Sequence, residues 1–372
     1  MKTIRDFLRK HALLLLAALV VLSVPAGVAL GKYVKNVEVT KTLNLNVSMV
    51  TVEYTIDKKS MWKVIKALTS KPSEIKPSEI KFVKGNDEAL KGLEELSQNG
   101  IQDDSLESGK IGVYQSNDGT TIYIAPMDGS RNVMYAPKDS RWLLCGSYLG
   151  LSNLLQTISF DNLDTSRVTD MASMFMNCYA LTSLNLDGLD TSNVTRMASM
   201  FANCKALTSL DLSKLDTSKV TSMNSMFYSC NALAFVDLSS FNTENVTNMG
   251  FMFENCKALV ELDLSSFNTS ELTYAESMFD SSSALKTIKA SSKFVTDKIN
   301  RSSDMFRNCT NLVGGNGTRY SYSHTDHTYA RIDRPSQPGY FTDINATRSL
   351  TYSVTGTDAA ANGFGITSDL AS

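Results

Sequence analysis

Residues 220–230 read VTSMNSMFYSC, which sets Met223, Met226 and Cys230 three and four residues apart. Thioether and thiolate sulfurs at that spacing are the soft ligands that copper(I) takes. With Phe227, the same residues sit at i, i+3, i+4 and i+7 and would form one apolar stripe on a helix. Repetition separates the two readings. Met-Phe pairs fall at 174–175, 200–201, 226–227, 252–253, 278–279 and 305–306, and Cys178, Cys204, Cys230 and Cys256 lie 26 residues apart. Ser282 takes the next place, Cys309 follows 27 residues later, and Cys145 stands outside the series. Phenylalanine interrupts the sulfurs, and the stripe is the only apolar face its segment has. Met174, Phe175, Cys178, Met200, Phe201, Cys204, Met226, Phe227, Cys230, Met252, Phe253 and Cys256 are therefore expected to be a packing ladder, with no metal and no cofactor.

The rest of each unit supplies what the stripe packs against. LTSLNLDGLDTSNV starts at 181, LTSLDLSKLDTSKV at 207, LAFVDLSSFNTENV at 233 and LVELDLSSFNTSEL at 259. A weaker copy begins at Leu154, and a degraded one with an inserted residue at Leu285. In LTSLDL, Leu207, Leu210 and Leu212 point inward and Asp211 outward, which reads as a short strand. Asp216 then opens an Asx-type turn, and Thr221 caps an expected helix of about ten residues, too short to hold alone in water. Six such coils at one period imply a stacked solenoid. The expected fold class is an α/β repeat solenoid, with one short strand and one short helix per 26-residue coil, behind a small α+β N-terminal region.

The unit L-x-x-L-x-L, then (D/N)-T, then V-T-x-M-x-x-M-F-x-x-C, resembles the repeat of bacterial BspA-like leucine-rich-repeat surface proteins. The resemblance covers roughly 151–341, including a closing segment LVGGNGTRYSYSHTDHTYARIDRPSQPGYFT and a strand-rich lead-in before the first coil. It implies a leucine-rich-repeat-like solenoid displayed on a bacterial surface, commonly associated with adhesion, and no catalytic residues. Ala275, Ser282 and Ser302 replace methionine and cysteine in the last units, where looser packing is expected.

The N-terminus carries Lys2, Arg5, Arg9 and Lys10, then an apolar run from Ala12 to Leu30. That pattern is an export signal cleaved near Gly31, or a retained anchor with its basic end in the cytoplasm. The expected map is 1–31 signal or anchor, 32–150 α+β region, 151–312 repeats, 313–341 cap and 342–372 polar tail. Within 32–150, SMWKVIKALTS and DEALKGLEELSQ read as short helices, and the tandem KPSEIKPSEIK as an exposed linker.

Other chemistry is thin. Stacked coils would bring successive cysteine Cα atoms to ~4.8 Å, the strand spacing, which lies within disulfide range. Parallel Cβ vectors and the unpartnered Ser282 favour buried thiols instead. His324, His327 and Asp326 offer at most a partial metal set. Eight N-x-S/T sequons occur, among them Asn193, Asn245 and Asn268, and several fall at corresponding places in the repeat, where the turn consensus explains them. No nucleophile–base set stands out, so an enzyme is not expected. With 36 basic against 38 acidic residues and no basic segment, neither is a nucleic-acid partner.

One column of exposed residues remains. The outward residues of successive coils include Asn185, Asp211, Asp237 and Asp263, flanked by Phe235 and Glu261. Stacked like charges repel, which points to a cation or basic partner, or else to solvated carboxylates screened by salt. These six residues are the expected binding surface. Its partner would be a host or microbial surface protein or glycan, with membrane contact only through the N-terminal segment. The competing function is a passive spacer without a ligand.

Overall fold

The computed structural model describes residues 54–69, 76–96, 111–127 and 133–344. The signal or anchor segment 1–31, the expected strands up to 53 and the tail beyond 344 lie outside the described residues.

Two helices are present among them, α1 (Lys58–Thr69) and the single turn α2 (Gly146–Leu149). The segment read as a second N-terminal helix holds one 3-10 turn, Glu88–Leu90. The strands form three small sheets. In the first, β1 (Tyr54–Thr55) pairs in parallel with β5 (Met134–Tyr135), which pairs with β7 (Leu163–Asp164). The second has the order β3 (Ile111–Gln115), β4 (Thr121–Pro126), β2 (Glu79–Phe82), β6 (Thr157–Ser159). The third runs β10 (Phe341–Asp343), β9 (Thr287–Ala290), β8 (Glu261–Leu264).

This overturns the expected α/β class. No repeat contains a helix, and the described residues form small sheets joined by long runs of hydrogen-bonded turns. The reason lies in the backbone of the Met/Phe/Cys segments. Ser225 and Ser229 have φ values of 56° and 55°, and Ser199 and Asn203 stand at 57° and 63°. A left-handed residue every four positions breaks an α-helix. The N–H groups then divide between two partners. Met226, Tyr228 and Cys230 donate three residues back, to Met223, Ser225 and Phe227. Met223, Ser225, Phe227 and Ser229 donate instead to Asn248, Gly250, Met252 and Glu254 of the following repeat, at 2.8–2.9 Å. Every second amide is thus a bond between repeats. A file of parallel bridges, Asp139–Asp170–Arg196–Ser222–Asn248–Tyr274–Arg301, runs alongside.

The L-x-L segments also depart from expectation. They are laddered strands only at β6, β8 and β9, and those at 184–186, 210–212 and 236–238 are not. Their alternation survives in burial: Leu210, Leu212, Val236 and Leu238 are buried, with Asp211 and Asp237 exposed between them.

The turn Thr provides a second bond between repeats. Thr191 Oγ1 donates to Asp216 O (3.0 Å) and accepts from Asp216 N (2.7 Å), and Thr217 and Thr243 treat Asn242 and Asn268 in the same way. These hydroxyls are 1–2% exposed and meet both polar groups of the facing residue, so burying them leaves nothing unpaired.

The ends are closed by non-repeating chain. The end of the expected linker forms most of β2, the strand that meets the first repeat: Ile80 is fully buried and pairs with Ile158. Lys58 of α1 donates to Asp139 O and Arg141 O, and Trp62 Nε1 to Leu143 O. At the other end, Phe341 pairs with Ile288, and Phe306 N donates to Thr325 O where a further repeat would have accepted.

Candidate functional site

The sulfur and aromatic residues converge on one buried wall. Phe175, Phe201, Phe227, Phe253, Phe279 and Phe306 stack with ring centroids 5.4–6.1 Å apart and planes within 15°. Phe160 closes the file at one end, edge-on at 5.9 Å, and Tyr340 at the other, edge-on at 5.1 Å. Met174, Met200, Met226 and Met252 are fully buried beside them.

All six cysteines are free and buried. Cys204, Cys230 and Cys256 donate through Sγ to the carbonyls of Phe175, Phe201 and Phe227 at 3.2–3.3 Å, and Cys178 to Leu144 O at 3.4 Å. Ser282 makes the same bond to Phe253 O, at 2.6 Å. Burial pushes the Cys178 and Cys230 thiols up to about 12 and drives Cys204 and Cys256 up as well. Protonated thiols already bonded to carbonyls do not have the thiolate character that soft-metal binding uses.

The exposed column has a local explanation that sequence reasoning missed. Ser213 N donates to Asp211 Oδ1, Ser239 N to Asp237 Oδ1 and Ser265 N to Asp263 Oδ1, each at 2.9 Å. Asn185 Oδ1 takes Asp187 N in the same way. Each side chain holds its own turn two residues on. The Ser213 backbone N–H and hydroxyl hold Asp211 below the usual carboxylate range. Ser239 does the same for Asp237 and outweighs both burial and the neighbouring Asp211 charge. Lys289 faces Asp263 in register and pairs with Glu261. Asp211 and Asp237 therefore need no cation to stay ionised. The apolar member of the column is the unexplained one: Phe235 is 65% exposed, and Val260, which precedes Glu261, is 51% exposed.

The remaining candidates are scattered. His327 Nδ1 lies 2.6 Å from Ser302 Oγ, His324 stacks on Tyr329 at 4.1 Å, and Asp326 accepts from Thr328 N and Oγ1. Ser302 is 8% exposed, inside a methionine slot of the wall, so this pair locks the cap to the last repeat. The sequon residues Asn193 and Asn245 donate through Nδ2 to Ser166 O and Ser218 O of the preceding repeats. Sequence reasoning also missed an ion pair between a buried carboxylate and an exposed guanidinium. Asp280, fully buried, takes Arg307 Nε and Nη2, and pushes the neighbouring Glu254 carboxyl up together with burial, the larger effect.

No curated protein and no solved structure matches the chain. One protein-family profile matches it twice, over residues 148–236 and 211–317, as a repeated unit requires. Together the two matches span just under half of the chain, and the repeats described above are similar to the family described as Mycoplasma protein of unknown function, DUF285.

Proposed function

We propose that this is an exported, cell-surface repeat protein of the BspA-like kind, whose L-x-L face (the strand face, laddered at Glu261–Leu264 and Thr287–Ala290 and irregular at 210–212 and 236–238) is a recognition module for a protein or glycan on another surface. The repeat-family similarity supports the repeat architecture. The observation that carries the recognition reading is Phe235, 65% exposed on an ordered face between Asp211 and Asp263. An aromatic ring left in water on a rigid scaffold is the kind of residue that anchors interfaces. The turn bonds fix Asp211, Asp237 and Asp263 around it, so the charges are held ready rather than mobile. Its role in this reading is binding: among the described residues, Ser302 and His327 are spent on holding the cap.

Among the described residues no helix is long and apolar enough to cross a membrane. Attachment is assigned to the apolar run at 12–30, as a cleaved signal or a retained anchor. The competing reading is a spacer with no ligand. Phe235→Ala and a variant reversing all three aspartates to lysine separate the two, measured for saturable binding to immobilised cells or matrix with melting temperature as the folding control. Recognition requires wild-type binding that both variants lose while folded. Equal binding by folded variants removes the strand face from the function.

A further inference from the structure

The cap carries a second exposed surface of opposite character. Segment 313–341 contains three arginines, Arg319, Arg331 and Arg334, all exposed. Its two acidic residues are engaged by hydrogen bonds within the cap itself. Asp333, 7% exposed, accepts from Asn316 N, Thr318 N, Thr318 Oγ1 and Gly339 N at 2.6–3.2 Å, and Asp326 caps the 3-10 turn at Thr328. Among the described residues no carboxylate pairs with any of the three arginines. The Thr318–Asp333 bonds bring together the residues next to Arg319 and Arg334, so these two cations lie on neighbouring turns of the cap.

Aromatic rings lie in the same segment. Tyr322 is 76% exposed and meets Tyr320 edge-on at 5.1 Å. Tyr329 stacks with His324 at 4.1 Å and has the Arg331 guanidinium 5.8 Å from its centroid. The rings are held from below: Tyr340 OH accepts Ser321 N, and Tyr340 packs against Tyr329 at 5.1 Å. Planar guanidinium groups suit carboxylate and sulfate oxygens through paired N–H bonds. Rigid tyrosines with one face in water offer amphipathic area at low entropic cost. Sugar rings that carry acid groups present an apolar C–H face and a regular series of anions, and so match both features at once.

We propose that this cap surface, formed by Arg319, Arg331 and Arg334 with Tyr322, Tyr329 and His324, binds an anionic polysaccharide bearing carboxylate or sulfate groups. It is separate from the strand face and does not depend on it. The test measures retention of the full chain on immobilised heparin, with neutral dextran and poly-glutamate as comparison matrices. Heparin should retain it at physiological salt, dextran should not, and added salt should weaken the retention. Replacing the three arginines with alanine should lower heparin affinity at least about tenfold, because charge-assisted pairs carry the contact. Tyr322→Ala should lower it several-fold on heparin and leave poly-glutamate unaffected. Phe235→Ala on the strand face should change neither. Melting temperature controls for folding, and Arg334→Gln alone replaces the triple variant if that variant unfolds. No retention on heparin, or retention indifferent to the arginine changes, overturns the proposal. So does equal retention on poly-glutamate with no effect of Tyr322→Ala, which would make the surface a dock for acidic protein segments.

Discussion

The thiol of Cys230 donates to the carbonyl of Phe201 in the preceding repeat, 3.2 Å away, and Ser282 gives its hydroxyl to Phe253 in the same way. The slot therefore selects a small donor, with sulfur as the common occupant. Cys230→Ser should keep the bond, while Cys230→Ala leaves the buried Phe201 carbonyl with the Cys204 N–H alone, 3.1 Å away. A buried hydrogen bond is worth about 0.5–1.5 kcal/mol net, so the alanine variant should melt below the serine variant in thermal denaturation. Equal melting temperatures would assign the slot to packing volume alone.

The same burial makes a prediction about pH. A thiol whose folded pKa is raised stabilises the fold fully below its unfolded pKa, about 8.5, and loses that contribution as pH rises toward the folded value. For Cys178 and Cys230 that value is about 12, so the melting temperature should fall steadily through the alkaline range above about 8.5. Thiol reagents at pH 8 should leave the folded protein unlabelled and modify all six cysteines once denaturant is added. Rapid labelling without denaturant would contradict the packed wall.

How much of this was legible depends on which residue is asked. Met226, Phe227 and Cys230 announce an inner face by their spacing, and they form one. A helix was the wrong backbone because i, i+3, i+4 and i+7 also share a side when left-handed residues recur every four positions. The distinguishing signal stood next to each sulfur. Ser225 precedes Met226, Ser229 precedes Cys230, and Asn203 precedes Cys204, all at positive φ. Asn, which tolerates that region, was the readable hint. Thr217 was visible as a repeated turn residue, but its pair of hydrogen bonds with Asn242 is a relation across 25 positions that no local pattern carries. The same holds for Ile80, whose proline-flanked segment looks like a linker until Ile158 supplies the neighbouring strand. The cap does not repeat, so Asp333 and Arg334 offered no period to read.

The cap rests on Asp333, and acid should release it. Burial pushes its carboxyl up, but hydrogen bonds from Thr318, Gly339 and Asn316 outweigh that and hold it below the usual range. A depressed folded pKa contributes stability above the unfolded value, about 3.9, and that contribution is lost as pH falls below it. Hydrogen exchange at the Thr318 amide should accelerate in that acid window before the repeats open. Asp333→Asn should expose the same amide at neutral pH and cost about 1–3 kcal/mol, since one amide oxygen cannot accept all four donors. Unchanged protection of Thr318 in the variant would mean the loop is held by something other than this carboxylate.

Glycine at Ser199 distinguishes the turn backbone from a helix by sign. Ser199 has φ 57° and donates through its N–H to Asn224 O at 2.7 Å. In a helix interior, glycine is among the poorest residues, about 1 kcal/mol worse than alanine. At positive φ the order reverses, because glycine reaches that region freely while a β-carbon costs about 1–2 kcal/mol there. Ser199→Gly should therefore hold or raise the melting temperature, and Ser199→Ala should not exceed it. Ser199→Val should lie lowest, since a β-branched side chain is least at ease at positive φ. A helical ranking, with alanine above glycine, would contradict the alternation of bonds that ties Met197, Ser199 and Phe201 to the next repeat.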